Sequence, residues 1–361
     1  MVPPLLYEQH VLTPEANVRG FSFPGIPFAV FGANEYGAWG FTSESPDVLD
    51  LYSYEFDESG DRYRYKGEWR EIERETRELE VAGGETRTIS IEKTVHGSLL
   101  ERNGQRVGVA WTGFGGSRSV RAMYDITRSE SVDDILEALE FMDIPSAAFV
   151  YADRDEPIFY QTGKVPIRRT PEGEIVSGDR VFDGSTPEAE WPGYEAFGET
   201  DWDGPGFVPV DEMPHVRDPS ILATANQGVV EEPLYPLGLS SGIPDRAKRI
   251  WDTLEAAAEA GETMDLEFHE AIMTDAQDER AAIAVPAIVG AIDERGRDDL
   301  ADVRADLSSW DYRMVPESSA ALVFDRWMNY YPRLAVEDVY EAAGLEPSAP
   351  SGWVAINLPA R

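Results

Sequence analysis

The sequence predicts an α+β protein in which antiparallel strands come first and helices dominate the later part. Alternating polar and apolar residues with Gly-containing turns recur through residues 57–112 and indicate an antiparallel meander. Helical spacing of apolar residues marks residues 131–142 and 242–261, and further helical patterns alternate with acidic linkers over 262–345. Strands followed by helices are typical of the α+β class.

Turn residues predict where the strands of the meander reverse. The segment GDRYRYKGEWREIE favours a hairpin centred on Lys66-Gly67, and ELEVAGGETRTISIEKTV favours a second with Gly83-Gly84 at its turn. Two apolar runs flank residues 153–155, which predicts strand, turn and strand. Residues 1–20 are predicted as loop and edge, because Pro3-Pro4 disfavour regular structure.

The helical segments carry recognisable ends. Ser131 is a candidate N-cap, with Asp134 at the third helical position. The apolar stripe behind this cap consists of Ile135, Leu136, Leu139 and Met142. Gly261 is expected to end the helix that contains DRAKRIWDTLEAAAEA.

The length allows one large domain or two ordinary domains, and we predict two parts. The β-rich part is predicted over residues 1–220 and the remaining core strands with the helical region over 221–361, at roughly 150 residues or more each. The last fifty residues of the first part, rich in Gly, Pro, Asp and Trp, predict an irregular excursion. Its expected packing residues are Trp191, Trp202 and Phe207.

The charge balance excludes several classes of partner. Asp and Glu number 68 against 31 Lys and Arg, giving a net charge of −37. Such a surface repels nucleic acid and anionic membranes, and its even spread along the chain favours solubility in strong salt over an acidic binding face. There is no cysteine, no apolar run of ~18 residues and no signal-peptide pattern, so we expect a soluble protein, cytoplasmic by default.

The stretch FSFPGIPFAVFGANEYGAWGFTSESPDVLDLY, residues 21–52, is the most distinctive in the chain. Further motifs are PPLLYEQHVLTPEANVRG, His96-Gly97, YADRDEPIFYQTGKVPIR, DRAKRI and LSSWDYRMVPESSAA. Together and in this order they resemble the β-chain of penicillin acylases (penicillin amidases), which are N-terminal-nucleophile (Ntn) hydrolases. The resemblance implies a four-layer αββα sandwich, of which this chain would be an incomplete internal part.

The resemblance also implies a reaction, the hydrolysis of a linear amide bond in an N-acyl compound. In the family the nucleophile is the first residue of the β-chain, a Ser whose free α-amine acts as its base. This chain starts with Met1-Val2, so the resemblance implies that the Ser comes from sequence outside it. A separate α-chain and an N-terminal β segment are the implied partners, and no cofactor is required.

Four residues match the family's active-site positions. Asn226 matches the side-chain donor to the oxyanion, Ser43 a backbone N–H donor, Arg246 the arginine that orients the site, and Phe31 an aromatic residue of the acyl pocket. From the residues alone, Asn226 could equally be a turn residue. Arg246 could be a surface arginine paired with an acid, Ser43 a strand-end residue and Phe31 a core residue.

Asp47 and Asp50 match carboxylates that bind calcium in family members, so a structural calcium ion is one hypothesis. A further family ligand is replaced near Leu239, and a solvated acidic pair is the alternative. The chain is therefore predicted to be part of a penicillin acylase-like amidohydrolase. A non-catalytic remnant or ligand-binding subunit of the same fold and an unrelated all-β meander protein are the alternatives.

Overall fold

A computed structural model describes residues 5–44, 46–102, 104–228, 234–238 and 245–344. The chain divides into two compact units. The first comprises residues 1–224 and 228–241, and the second comprises residues 225–227 and 242–361. The predicted division into domains at residue 220 stays a prediction.

The first unit is built mainly from strands. In chain order they are β1 (Tyr7–Thr13), β2 (Ala16–Ser22), β3 (Phe31–Ala33), β4 (Ala38–Ser43), β5 (Leu49–Ser53), β6 (Arg62–Tyr65), β7 (Glu68–Glu71), β8 (Glu73–Leu79), β9 (Arg87–Thr94), β10 (Gly97–Arg102), β11 (Gln105–Trp111), β12 (Ala147–Ala152), β13 (Pro157–Gln161), β14 (Arg168–Arg169), β15 (Ile175–Val176), β16 (Val181–Asp183) and β17 (His215–Arg217). Two helices, α1 (Ser119–Ile126) and α2 (Val132–Leu139), complete it over the described residues.

A seven-stranded antiparallel sheet has the order β1-β2-β3-β4-β12-β13-β17. At its centre β4 pairs with β12, which places Trp39 opposite Tyr151 and Phe41 opposite Phe149. The inward residues of this sheet form one core with the apolar faces of α1 and α2. Burial of that shared apolar surface holds the helices on the sheet.

A six-stranded sheet has the order β16-β5-β11-β10-β9-β8. The meander is confirmed: β8 pairs antiparallel with β9, and β10 with β11, while the short β16 adds to β5 in parallel. Behind it lies a second core that includes the three predicted packing residues of the irregular excursion, Trp191, Trp202 and Phe207.

Local sequence patterns account for several of these elements. Lys66 and Gly67 both have positive φ, which is the backbone that the β6–β7 turn requires. The Ser131 hydroxyl accepts from the backbone N–H of Asp134, and the Asp134 carboxylate accepts in return from the N–H of Ser131. This reciprocal capping fixes the start of α2 as predicted.

The prediction of loop and edge for residues 1–20 is confirmed for the edge position but wrong for the loop over residues 7–13 and 16–20. Residues 7–13 and 16–22 form the hairpin β1–β2, and β1 is the edge strand of the larger sheet. Most side chains of β1 are exposed, so the strand lacks the buried alternation that would have marked it.

The second unit is helical over its described residues. Its helices are α3 (Asp245–Ala260), α4 (Leu266–Met273), α5 (Glu279–Glu294), α6 (Ala301–Ser309) and α7 (Ser319–Ala342). Gly261, with φ +66°, ends α3 as predicted. Ala281, Leu307 and Phe324 join α5, α6 and α7 in one apolar core. No described helix is long and apolar enough to cross a membrane.

Candidate active site

Ser43 and Phe31 lie on neighbouring strands of the larger sheet. Ser43 is the exposed last residue of β4, opposite Ala147 of β12. The hydroxyl of the preceding Thr42 lies 2.6 Å from that of Thr224. Phe31 is half-buried at the start of β3. It lies beside Gly40 of β4, because a Cβ added at Gly40 would be 3.9 Å from Cδ1 of Phe31.

Glu44, next to Ser43, is a candidate functional residue that the sequence reasoning missed. Burial raises the pKa of the Glu44 carboxyl to about 7, although a hydrogen bond with Gln161 opposes the shift. Its Oε1 is buried and has no hydrogen-bond partner among the described residues. A carboxyl group with this pKa can exchange a proton near neutral pH. The chain contains 68 Asp and Glu residues, and the position of Glu44 beside Ser43 is the one sequence feature that could have distinguished it from the others.

Asn226 and Arg246 are brought together in the second unit. Arg246 is the second residue of α3, and its Nη2 donates 2.7 Å to Oδ1 of Asn226 and 2.9 Å to the carbonyl of Ala225. Asn226 has φ +68°, a left-handed conformation that asparagine tolerates better than most residues. Because a guanidinium only donates, this contact sets the orientation of the Asn226 amide, with Oδ1 facing Arg246.

The predicted site residues thus fall into two groups. Ser43 and Phe31 belong to the first unit, whereas Asn226 and Arg246 belong to the second. The convergence of the Ser43 N–H, Asn226 and Arg246 on one point, and the catalytic role of each residue, stay predictions.

Asp47 and Asp50 are buried around a single arginine. Nε of Arg168, a residue 1% exposed, donates to both carboxylate oxygens of Asp50 at 2.9 and 2.7 Å. Its Nη2 donates to Oδ1 of Asp47 at 2.9 Å. Trp191 Nε1 also donates to Oδ2 of Asp50 at 2.7 Å, and the N–H of Gly178 donates to Oδ2 of Asp47 at 2.8 Å. The expectation of a solvated pair is therefore wrong.

This arrangement decides how well the pair fits calcium. Burial raises the pKa of both carboxyls and Arg168 opposes the shift, so the guanidinium supplies the positive charge that a metal ion would supply. Each carboxylate oxygen already accepts an N–H, and no group of three His, Asp or Glu among the described residues could hold a metal. The residues as placed do not fit a calcium ion. Leu239 lies outside the described residues, and calcium binding itself stays untested.

A second buried polar cluster surrounds His96 in the first unit. Tyr54 Oη lies 2.5 Å from Nδ1 of His96, and Oε1 of Glu190 lies 3.5 Å from its Nε2. Burial lowers the pKa of His96. Burial of Glu190 opposes ionisation, but its approach to His96 and its hydrogen bonds from Tyr65 and Lys66 lower its pKa to about 2. The cluster therefore holds a neutral imidazole beside a charged carboxylate.

Comparisons with known proteins agree with this fold. The family model of penicillin amidase matches residues 1–357. An acyl-homoserine lactone acylase QuiP from Pseudomonas syringae pv. tomato is 27% identical over 252 residues, covering 66% of this chain and 28% of the relative. The penicillin acylase 2 proenzyme of Pseudomonas sp. strain SE83 is 24% identical over 376 residues, covering 98% of this chain and 44% of that protein.

Among solved structures, a thermostable penicillin G acylase from Alcaligenes faecalis superposes with a TM-score of 0.71 at 19% identity, covering 94% of this chain and 61% of that one. The chain is thus an α+β protein that shares the Ntn-hydrolase fold. It belongs to the penicillin amidase family, whose members are amide hydrolases. It spans only 28–44% of the length of the two curated relatives described above.

Proposed function

We propose that this chain is the oxyanion-binding and pocket-forming part of a hydrolase that cleaves the linear amide bond of N-acyl compounds. The observation that carries the proposal is the 2.7 Å hydrogen bond from Arg246 to Asn226, which orients the asparagine amide with its Oδ1 toward the guanidinium. Family membership supports the reaction class. The names of the relatives point to acyl-homoserine lactones and penicillins as compounds on which those relatives act.

The chemistry needs donors where negative charge develops. A hydroxyl oxygen adds to the amide carbonyl carbon, and the π electrons of the C=O bond move onto oxygen. Nδ2 of Asn226 and the backbone N–H of Ser43 donate to this oxyanion, and Phe31 contacts the acyl group. When the carbonyl re-forms, the C–N bond breaks and the amine leaves with the proton from the hydroxyl. Water then hydrolyses the ester, releasing the acid and the free hydroxyl.

The nucleophile in this proposal is a serine at the free N-terminus of a segment outside this chain. Its α-amine, with a reference pKa of about 7.7–8.0, is a suitable base near neutral pH. That segment and a separate α-chain are the proposed partners, and neither a cofactor nor a metal takes part. A non-catalytic, ligand-binding chain of the same fold is the competing possibility.

The test is an assay of hydrolysis by the protein that the full open reading frame containing this chain encodes. We would assay N-phenylacetyl amides and N-acyl-homoserine lactones in strong salt, because the net charge of −37 favours screening. The proposal predicts turnover and, by mass spectrometry of quenched reactions, an acyl group on an N-terminal serine. A folded protein that releases no acid from any of these amides would contradict it. Retained binding of phenylacetate in that case would favour the non-catalytic alternative.

A further inference from the structure

The strand β8 (Glu73–Leu79) forms one edge of the six-stranded sheet. It pairs with β9 on one side, and no strand among the described residues pairs with its other side. Six of its seven residues are exposed. The backbone N–H and C=O groups along such an edge can pair with a further strand.

The charges of β8, whose sequence is ERETREL, are arranged symmetrically about Thr76. Glu75 on one side of Thr76 is matched by Arg77 on the other. One position further out, Arg74 is matched by Glu78. When the strand lies antiparallel to a second copy of itself with Thr76 at the centre, each of these glutamates faces an arginine. Opposite charges directly across an antiparallel pair stabilise that pair.

Other registers of the same pairing are unfavourable. A two-fold axis perpendicular to the sheet keeps the faces of both strands aligned, and side chains alternate between faces, so one residue must lie opposite its own copy. Thr76 and Leu79 are the uncharged residues of β8. A centre at any other residue of the strand places two identical charges opposite each other. A centre at Leu79 places Glu78 opposite Glu80, so the charges favour the register about Thr76.

The ion pairs that β8 makes within the chain are compatible with this register. Nε and Nη2 of Arg74 donate to Glu92 and Asp61, both at 2.9 Å, which leaves Nη1 for a further acceptor. Arg77 contacts Glu75 of its own strand. Two copies of that contact, side by side in opposite directions, form a square of alternating charges.

We propose that β8 pairs with β8 of a second copy of this chain about a two-fold axis at Thr76, which joins the two six-stranded sheets into one continuous sheet. Charged edge strands usually oppose pairing. Here the charges oppose shifted registers and favour one partner, the chain itself. A seven-residue strand is about 24 Å long, so the interface is smaller than the ~1,600 Å² of a standard interface. The dimer is therefore weak, and its population depends on concentration.

Crosslinking tests this geometry directly, because the chain contains no cysteine. In the proposed dimer the Cα atoms of the two Thr76 residues lie about 4.5–5.5 Å apart, within reach of a disulfide. Thr76→Cys should therefore give a disulfide-linked dimer under mild oxidation. Ser90→Cys is the matched control, because Ser90 lies opposite Thr76 on β9. Its two copies would be three strand spacings apart, about 14 Å, which is too far for a disulfide.

Sedimentation velocity measures the association without a crosslink. At ~0.3 M salt the Debye length is about 5–6 Å, which screens the repulsion between two chains of net charge −37 more than it screens side chains in contact. Glu78→Arg places two arginines opposite each other and should raise the dissociation constant of the dimer at least about tenfold. Glu85→Arg makes the same change of charge in the connection between β8 and β9 and should leave the constant unchanged.

Misfolding is a small risk in these variants, because Thr76, Glu78, Glu85 and Ser90 are all exposed. Absence of a crosslink in Thr76→Cys, an equally efficient crosslink in Ser90→Cys, or equal dissociation constants for Glu78→Arg and Glu85→Arg would overturn the inference. A crosslink at position 76 in this chain that is lost in the protein encoded by the full open reading frame would also overturn it, because another segment would then cover the edge of β8.

Discussion

The guanidinium of Arg246 donates a 2.7 Å hydrogen bond to Oδ1 of Asn226. The contact joins a residue at the start of α3 to one in the segment that precedes the helix by some twenty positions. An amide can present either its oxygen or its nitrogen to a substrate, and a neighbour that only donates removes that ambiguity. Arg246 is thus a positioning residue in the proposed mechanism, and Asn226 is the residue that contacts the reacting oxygen.

The first prediction concerns Arg168, which forms ion pairs with both Asp47 and Asp50 in the core of the first unit. Arg168→Met should lower the free energy of unfolding by about 3–5 kcal/mol, because two buried carboxylates lose their cation. Chemical denaturation measures this loss. Arg180→Met, which breaks the exposed pair with Glu188, should cost no more than about 1 kcal/mol. A similar small cost for both variants would show that the buried cluster is not a stabilising unit.

The second prediction concerns calcium at the same cluster. Since Arg168 already supplies the positive charge there, millimolar calcium or EDTA should shift the thermal midpoint by less than about 1 °C relative to magnesium at equal ionic strength. Differential scanning fluorimetry is sufficient to detect this. A saturable rise specific to calcium would restore Asp47 and Asp50 as metal ligands and would require Arg168 to move.

The third prediction is a pH dependence from His96, whose pKa burial lowers. The unfolded chain protonates this imidazole near pH ~6.5, whereas the folded protein does so only at lower pH, so stability should fall as the pH drops below ~6.5. His96→Gln should flatten the slope of unfolding free energy against pH in that range. His10→Gln, at an exposed site, is the matched control. An unchanged slope in His96→Gln would exclude His96 as the titrating group.

The fourth prediction has the opposite sign and concerns Glu44. Its pKa is raised from 4.5 to about 7, so the folded state holds a proton that the unfolded state has lost. Stability should therefore fall as the pH rises through that window. At pH ~8, Glu44→Gln should be more stable than the parent by on the order of 1 kcal/mol, since partial exposure reduces the penalty. Glu55→Gln should show no such gain, and equal curves for the two variants would refute the shift.

Local chemistry made part of this fold predictable. Ser131 and Asp134 cap α2 by a rule that spans three residues, and Lys66-Gly67 fixes a hairpin through backbone preferences alone. The hairpin β1–β2 escaped prediction because its edge strand is exposed on most positions and carries no buried stripe.

The site was harder to predict because its defining contacts are long-range. Arg168 meets Asp50 across 118 positions in the sequence, so the burial of that acid as an ion pair is decided only by the tertiary fold. The sequence motifs predict Asn226 and Arg246 as site residues. The structure is needed to show that Oδ1 of the asparagine amide faces the arginine.

The proposed mechanism requires Asn226 to stabilise the oxyanion, and a substitution that keeps its contact with Arg246 isolates this role. Asn226→Asp retains an acceptor for the guanidinium and the tolerance for positive φ but loses the Nδ2 donor. When the protein encoded by the full open reading frame carries this substitution, its kcat for an N-acyl amide should fall by a factor of ~10²–10³ while KM changes little. Asn329→Asp, on the exposed face of α7, should leave kcat unchanged. A kcat for Asn226→Asp that matches this control would contradict the account.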